Sequence, residues 1–143
     1  RHRAAQGFLL DENVSSYVSD YIVSRGYRVA HVGRVELYLG KAPPKGTPDS
    51  LLKKAMQTHV LITHDKGMLE PGRLPGKHRG VFVLNPGYGG GLKVVQRLFE
   101  LMRWDHDWLF SDRRFLVGNA RIEEVEVDGT IGARYLWVIA GKV

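Results

Sequence analysis

Short apolar segments alternate with segments of helical periodicity over the first hundred residues of the chain. Residues 7–10 are uniformly apolar and stop abruptly at two acidic residues, which is typical of a buried strand. Apolar side chains then recur at helical spacing from Val14 to Ile22, and Gly26 follows as a helix stop. Strand-forming side chains alternate over residues 27–32 and predict a second strand. The chain therefore begins with a predicted strand–helix–strand unit.

A glycine- and proline-rich segment separates this unit from a second series of predicted elements. Residues 33–48 contain three glycines and three prolines, so we expect them to be mostly loop. Four elements are predicted after this loop, in the order helix, strand, strand, helix, at residues 51–56, 59–63, 81–84 and 92–104. Because strands that alternate with helices form βαβ units, the pattern predicts an α/β fold with a mainly parallel sheet.

The end of the chain has a different pattern. Residues 122–127 and 131–139 are two alternating runs that contain strand-forming side chains. Asp128 and Gly129 lie between them, and this pair favours the tight turn that joins two antiparallel strands. We therefore predict a C-terminal β-hairpin.

Length and composition are those of an ordinary globular domain. The chain has 143 residues, 43% hydrophobic and 25% charged, which is enough to bury a core of its own. We expect one domain over residues 1–143, with an α/β core over 7–104 and a C-terminal extension with the β-hairpin over 105–143. Since there is no cysteine, disulfide scaffolds, thiol nucleophiles and thiolate metal sites are excluded.

Two further features concern location and partners. No apolar run reaches the roughly 18–20 residues that span a bilayer, and residues 1–3 are charged rather than part of a secretory signal. We therefore expect a cytoplasmic protein that does not enter a membrane. Lys and Arg number 21 against 15 Asp and Glu, a net charge of +6. Such an excess suits a polyanionic partner, although an ordinary basic surface explains it equally well.

Acidic residues follow two of the predicted strands. Asp11 and Glu12 come directly after the first strand, and Asp65 follows the strand at 59–63. Asp49 precedes the helix that leads into that same strand. Because the carboxyl ends of parallel strands meet at the edge where ligands bind, we expect these carboxylates to lie close together. Carboxylates that lie close together repel each other unless a cation neutralises them. With oxygen ligands only, a hard divalent cation such as Mg²⁺ or Mn²⁺ fits best. Such an ion would activate water for attack on a phosphodiester. The alternative for each acid taken alone is that it caps a helix or is simply exposed to solvent.

The segments that contain these acids follow one order and spacing. They are Phe-Leu-Leu-Asp-Glu-Asn at 8–13, Gly-Tyr-Arg-Val-Ala-His-Val at 26–32, Thr-Pro-Asp at 47–49 and Val-Leu-Ile-Thr-His-Asp-Lys at 60–66. In this combination the chain resembles the PIN-like domain family, a toxin-type, ribonuclease-like group within the PIN superfamily. The resemblance covers about residues 7–104.

This resemblance implies a three-layer α/β/α fold and a metal-dependent endoribonuclease that uses Mg or Mn to hydrolyse RNA. It also implies the toxin of a toxin–antitoxin pair, held inactive by a protein antitoxin. By position, Asp11, Asp49 and Asp65 match the three catalytic, metal-binding acids of the family. Glu12 is expected either as an auxiliary metal ligand or turned away from the site.

Four neighbouring residues are assigned supporting roles. Asn13 is expected to cap the first helix or to orient the first acid, with capping favoured and Ser15 or Ser16 as alternative caps. Thr63 is expected to hydrogen-bond a carboxylate, against a purely structural role. His64 could assist proton transfer or be structural, and Lys66 lies next to the third acid.

One position departs from the family pattern. Where the family commonly has an Asp two residues after the third acid, this chain has Gly67, followed by Met68 instead of an aromatic residue. One metal ligand is therefore missing from the pattern, and Glu70 lies close enough in sequence to replace it. This departure motivates a second hypothesis, in which the protein is a catalytically weakened PIN-like module that binds RNA or another protein.

Three further segments have candidate roles. Residues 71–99 contain no acid, and their Arg73, Lys77 and Arg79 could contact RNA phosphates or form a solvated loop. The glycine-rich segment 87–91 precedes a helix and could bind a phosphate or nucleotide, although a flexible turn is favoured. Trp104 and Trp108 are four residues apart, so we expect core packing, with a homodimer or antitoxin interface as the alternative.

Overall fold

The fold is given by a computed structural model that describes residues 7–31, 54–70, 72–74, 77–85, 91–102, 112–118 and 121–136. Its elements are β1 (Gly7–Leu10), α1 (Ser16–Ser24), β2 (Val29–His31), β3 (His59–Thr63), a 3₁₀ helix (Lys66–Leu69), β4 (Val81–Asn85), α2 (Gly91–Met102), β5 (Arg114–Gly118), β6 (Arg121–Val125) and β7 (Ile131–Leu136). The helix predicted over residues 51–56 lies partly outside the described ranges, and its described residues Lys54 and Ala55 are helical.

Seven strands form one sheet, in the order β2-β1-β3-β4-β5-β6-β7. The first five strands of this order are parallel, and the pairs β5–β6 and β6–β7 are antiparallel. The prediction of an α/β protein with a mainly parallel sheet is therefore confirmed. Strand β5 was not predicted from the sequence, and it joins the parallel part of the sheet to β6 and β7.

The two helices that are described pack on the same face of the sheet. Strand residues that point to this face alternate with those that point away, as in Phe8 and Leu10 against Leu9. Val18 and Ile22 of α1 and Val94, Val95, Leu98 and Phe99 of α2 cover this face. Together with the strand side chains of this face, they form the larger of the two buried clusters.

The opposite face is covered by shorter segments. Met56, just before β3, is fully buried against Leu9, Leu61 and Val83. Met68 and Leu69 of the 3₁₀ helix pack on the same cluster. The chain that leaves β3 therefore returns across this face before it enters β4. None of the helices among the described residues is long and apolar enough to span a membrane.

The strand order places a crevice between the carboxyl ends of β1 and β3. From β1 the chain continues to β2 on one side, and from β3 it continues to β4 on the other side. At such a switch point the two connections diverge, and ligands of open α/β sheets bind in the gap between them. We call the carboxyl ends of β1–β5 the carboxyl edge of the sheet and their amino ends the amino edge.

Candidate functional site

Thr63 connects two of the predicted acids at the switch point. Its side chain is fully buried at the last position of β3. The hydroxyl donates a hydrogen bond to Asp11 Oδ2 at 2.7 Å and accepts one from the backbone N–H of Asp65 at 3.1 Å. The structure thus brings Asp11 and Asp65 to the same hydroxyl group at the carboxyl edge.

Asp11 is fixed through both its backbone and its side chain. Its N–H donates to the carbonyl of Ile62 at 3.0 Å, which extends the β1–β3 pairing by one residue. Oδ1 accepts a hydrogen bond from the N–H of Glu12 at 2.8 Å, while Oδ2 accepts the Thr63 hydroxyl. The residue is half-buried. Since each carboxylate oxygen can accept more than one hydrogen bond, both oxygens retain acceptor capacity towards solvent or a ligand.

Asn13 does not cap the first helix, so the favoured interpretation of this residue was wrong. The N-cap of α1 is Ser15, whose Oγ accepts a hydrogen bond from the N–H of Tyr17 at 3.0 Å. Asn13 Oδ1 instead accepts from the backbone N–H of His64 at 3.2 Å. Both residues are good N-caps, and Asn13 is used to hold the loop after β1 against the loop after β3.

Asp65 is the more exposed of the two acids. Its Oδ1 accepts a hydrogen bond from the N–H of Gly67 at 2.8 Å, so the residue caps the 3₁₀ helix. Its Oδ2 lies 4.0 Å from Nη2 of Arg73, and the two side chains are 49% and 41% exposed respectively. The carboxylate is therefore accessible, and its nearest described cation is Arg73.

Arg73 lies at the acidic site, which the sequence did not indicate. Its Nη1 donates to the carbonyl of Gly67 at 3.3 Å, and its Nη2 lies 3.6 Å from Sδ of Met68. The guanidinium thus returns over the 3₁₀ helix towards Asp65. By contrast, Lys77 and Arg79 precede β4 and lie at the amino edge. Of the three cations assigned to RNA phosphates, Arg73 therefore pairs with Asp65, whereas Lys77 and Arg79 lie at the opposite end of β4.

The remaining supporting residues flank the site. His64 is half-buried, and its ring packs on the first turn of α2, where a Cβ at Gly91 would lie 3.2 Å from Cε1 and Nε2. Lys66 is exposed at the start of the 3₁₀ helix. Glu12 is exposed, and its backbone N–H contributes to the site through the bond to Asp11.

Several predicted residues lie outside the described part of the chain. They are Asp49, residues 87–90 of the glycine-rich segment, Trp104 and Trp108. Of the glycine-rich segment only Gly91 is described, as the first residue of α2. Glu70, the residue considered as a substitute for an acid at position 67, is exposed and closes the 3₁₀ helix through its N–H bond to the carbonyl of Gly67 at 3.1 Å.

The described donor set suits a hard divalent cation. Asp11 and Asp65 present carboxylate oxygens at one edge of the sheet, and carboxylate oxygens are the ligands that Mg²⁺ and Mn²⁺ prefer. Within the described ranges both acids bond to Thr63, Asp11 through its carboxylate and Asp65 through its backbone N–H, and no group of three His, Asp or Glu side chains is assembled. Two of the three expected acids therefore lie at the carboxyl edge, and the position of the third is not among the described residues.

A second polar cluster, at the amino edge, was not predicted. The N–H of His78 donates to Asp112 Oδ1 at 2.9 Å, and His78 Nδ1 accepts from the N–H of Gly80 at 3.1 Å. Arg114 is 6% exposed and donates to the carbonyls of Leu69 and Glu126. Burial lowers the pKa of His78, an effect that the Asp112 carboxylate opposes and the Arg114 guanidinium reinforces.

Comparisons with protein families, with curated proteins and with solved structures identify no match to this chain. The resemblance to the PIN-like family therefore stays a prediction that rests on the four sequence segments.

Proposed function

We propose that the protein is a metal-dependent endoribonuclease that hydrolyses RNA phosphodiester bonds, as the toxin of a toxin–antitoxin pair. The fold that belongs to this proposal is the three-layer PIN-like fold with a C-terminal β-hairpin. The single observation on which it rests is the junction at the switch point, where one buried hydroxyl joins Asp11 and Asp65. Two acids held at a ligand-binding crevice are suited to chemistry more than to capping alone.

The metal ligands in this proposal are Asp11, Asp49 and Asp65, with Glu12 as an auxiliary ligand. A Mg²⁺ or Mn²⁺ ion, when bound, would lower the pKa of water and neutralise charge on the phosphodiester. The donor chemistry of the two described acids supports this assignment. The N–H of Glu12 and the hydroxyl of Thr63 each donate to one oxygen of the Asp11 carboxylate, and each oxygen can accept a further bond.

Thr63 is a positioning residue in the proposed site. Because its hydroxyl is fully buried and bonded on both sides, it holds the Asp11 carboxylate in one orientation before any ligand arrives. Asn13 fixes the neighbouring backbone of His64 in the same way. Groups that are already oriented need no reorganisation during the reaction, which is the main source of electrostatic catalysis.

The net charge of +6 supports RNA as the polyanionic substrate. Lys66 is exposed beside Asp65 and is placed to contact a phosphate at the cleavage site. Lys77 and Arg79, at the other edge, would contact phosphates further along the strand. Each phosphate that the protein neutralises adds about 0.7 to the salt dependence of single-strand binding.

RNA cleavage by matched variants tests this proposal. Purified wild type, Asp11→Asn and Asp20→Asn are incubated with single-stranded and structured RNA in Mg²⁺ or Mn²⁺. Asp20 is exposed on α1, so Asp20→Asn makes the same charge change away from the site. We expect Asp11→Asn to lose about 100-fold or more in cleavage rate, since charge stabilisation by a metal contributes several kcal/mol. Equal rates for Asp11→Asn and wild type would refute the proposal.

The pairing of Arg73 with Asp65 favours one alternative. A cation of the protein already lies 4.0 Å from this acid, and position 67 has no carboxylate. These features fit a catalytically weakened PIN-like module that binds RNA or a partner protein. It would bind RNA in a salt-sensitive way without cleaving it, and a calorimetric titration would show no Mn²⁺ binding. Mn²⁺ binding that is lost in Asp65→Asn would exclude this alternative.

A further inference from the structure

Arg73 occupies the space beside Asp65 where a bound cation would compete with it. The guanidinium lies 4.0 Å from Asp65 Oδ2 and donates to the carbonyl of Gly67 at 3.3 Å. The turn that contains Arg73 is itself held, because its N–H donates to the carbonyl of Glu70 at 3.2 Å. The side chain is therefore directed back to the acid by its own loop.

The glycine at position 67 leaves room for the two paired side chains. A Cβ at Gly67 would lie 3.1 Å from Nη1 of Arg73 and 3.0 Å from Oδ1 of Asp65. Both distances are tighter than ordinary van der Waals contact, so a side chain there would shift the guanidinium or the carboxylate by a few tenths of an ångström. Gly67 therefore lies against both partners of the pair and favours their present arrangement.

The electrostatic consequence is competition for one carboxylate. A divalent ion bound at Asp65 would lie within a few ångströms of the Arg73 guanidinium, and the two positive charges would repel each other. Because both side chains are almost half-exposed, water and salt screen this repulsion and keep it modest.

We propose that Arg73 is an internal competitor for the divalent ion at Asp65, and that it sets how tightly the site binds that ion. This inference rests on the proposed metal site. When the ion binds, Arg73 leaves Asp65, and its guanidinium becomes available to a phosphate of the RNA. The pairing weakens metal binding in the free protein. It also couples the binding of the ion to the binding of RNA, because the arginine that the ion displaces can then contact a phosphate.

Calorimetric titration of Mn²⁺ into the full chain tests this competition. Wild type is compared with Arg73→Gln, Arg73→Lys and Arg121→Gln at one ionic strength. Arg121 pairs with Glu123 at 2.9 Å on β6, three strands from β3, so Arg121→Gln makes the same charge change at a distance. We expect Arg73→Gln to bind Mn²⁺ about threefold to tenfold more tightly than wild type. Arg73→Lys and Arg121→Gln should stay close to the wild-type affinity.

Stability measured beside affinity separates competition from a merely structural role. An arginine that only stabilises the 3₁₀ helix would lower the free energy of unfolding when it is replaced but would not raise Mn²⁺ affinity. Arg73→Met removes the same charge and keeps much of the apolar stem of the side chain, so it tests the same point if Arg73→Gln does not fold.

The outcomes distinguish this inference from the proposed function. Mn²⁺ binding of equal strength in wild type and Arg73→Gln would overturn the inference and leave the metal site standing. An equal gain in Arg121→Gln would overturn it as well, because the effect would then be one of net charge. The absence of Mn²⁺ binding in wild type and Arg73→Gln alike would overturn both.

Discussion

The two edges of the sheet use polar residues in opposite ways. At the amino edge, His78 and Arg114 are 6% exposed each, and their hydrogen bonds go to neighbouring backbone groups. At the carboxyl edge, the Asp65 side chain is 49% exposed, and Asp11 keeps acceptor capacity after its two hydrogen bonds. A closed network of buried polar groups stabilises a fold, whereas oriented but accessible groups can bind a ligand. We therefore expect a ligand to bind at the carboxyl edge and the amino-edge groups to contribute mainly to stability.

Removal of Arg114 should give the largest change in stability. In Arg114→Ala the carbonyls of Leu69 and Glu126 lose their donor, and a buried side chain is lost with it. We expect the free energy of unfolding to fall by about 2–4 kcal/mol, measured by urea denaturation. The cleavage rate per folded molecule should stay close to that of wild type. A folded Arg114→Ala protein without activity would contradict the claim that the amino edge contributes mainly to stability.

The substitution Thr63→Val tests the carboxyl edge, because valine has nearly the same shape as threonine but lacks the hydroxyl. In Thr63→Val, Asp11 Oδ2 loses a donor and the N–H of Asp65 loses its acceptor. We expect a stability loss of about 1–3 kcal/mol together with a fall in cleavage rate of roughly tenfold. Thr63→Ser keeps the hydroxyl and should retain most of the activity. If Thr63→Val cleaves RNA as fast as wild type, the hydroxyl does not position the reacting acid.

The buried histidines of the amino edge predict a smaller, pH-dependent effect. Burial lowers the pKa of His78 and of His59 from the ordinary value of 6.5. The unfolded chain takes up protons as the pH falls through 6.5, while the folded protein resists protonation, so the free energy of unfolding decreases with falling pH. The contribution of the neutral histidines to stability is fully present above pH 6.5, the ordinary pKa of the unfolded chain. It is lost as the pH falls from there to the lowered pKa of the folded protein.

His78→Asn sharpens this test because Oδ1 of Asn can replace Nδ1 as the acceptor for the N–H of Gly80. Urea denaturation at pH 7.5 and pH 5.5 should show a smaller loss of stability in this variant than in wild type. The loss should not vanish, since His59 also contributes. An identical pH dependence in both proteins would show that His78 is not one of the responsible groups.

The sequence predicted most of the regular elements and the hydrogen bond from Thr63 to a carboxylate, but not which acid accepts that bond nor the approach of Arg73 to Asp65. Short apolar runs identified β1, β3 and β4, because strands buried on both faces have no polar side. Strand β5 was missed, since a buried Arg114 interrupts the apolar pattern at its start. A buried arginine is rare, and hydrophobic periodicity cannot anticipate it.

Asp11 and Asp65 were assigned to the carboxyl edge from chain order alone, because parallel strands bring their carboxyl ends together. The bond between Thr63 and Asp11 joins residues 52 positions apart, and it depends on the register in which Leu10 pairs with Ile62. The approach of Arg73 follows the turn after the 3₁₀ helix, where its N–H bonds to Glu70 and its guanidinium to Gly67. Neither register nor loop path is encoded in a local pattern.

Paramagnetic broadening by Mn²⁺ tests the central claim most directly, because it locates the ion without relying on activity. Amide signals of the ¹⁵N-labelled wild-type chain are followed during a substoichiometric titration. We predict that signals of residues 11–13 and 63–67, at the carboxyl edge, broaden first, while those of His78, Gly80 and Arg114 persist. Broadening that begins at the amino edge, or that affects both edges equally, would contradict the assignment of metal and function to the carboxyl edge.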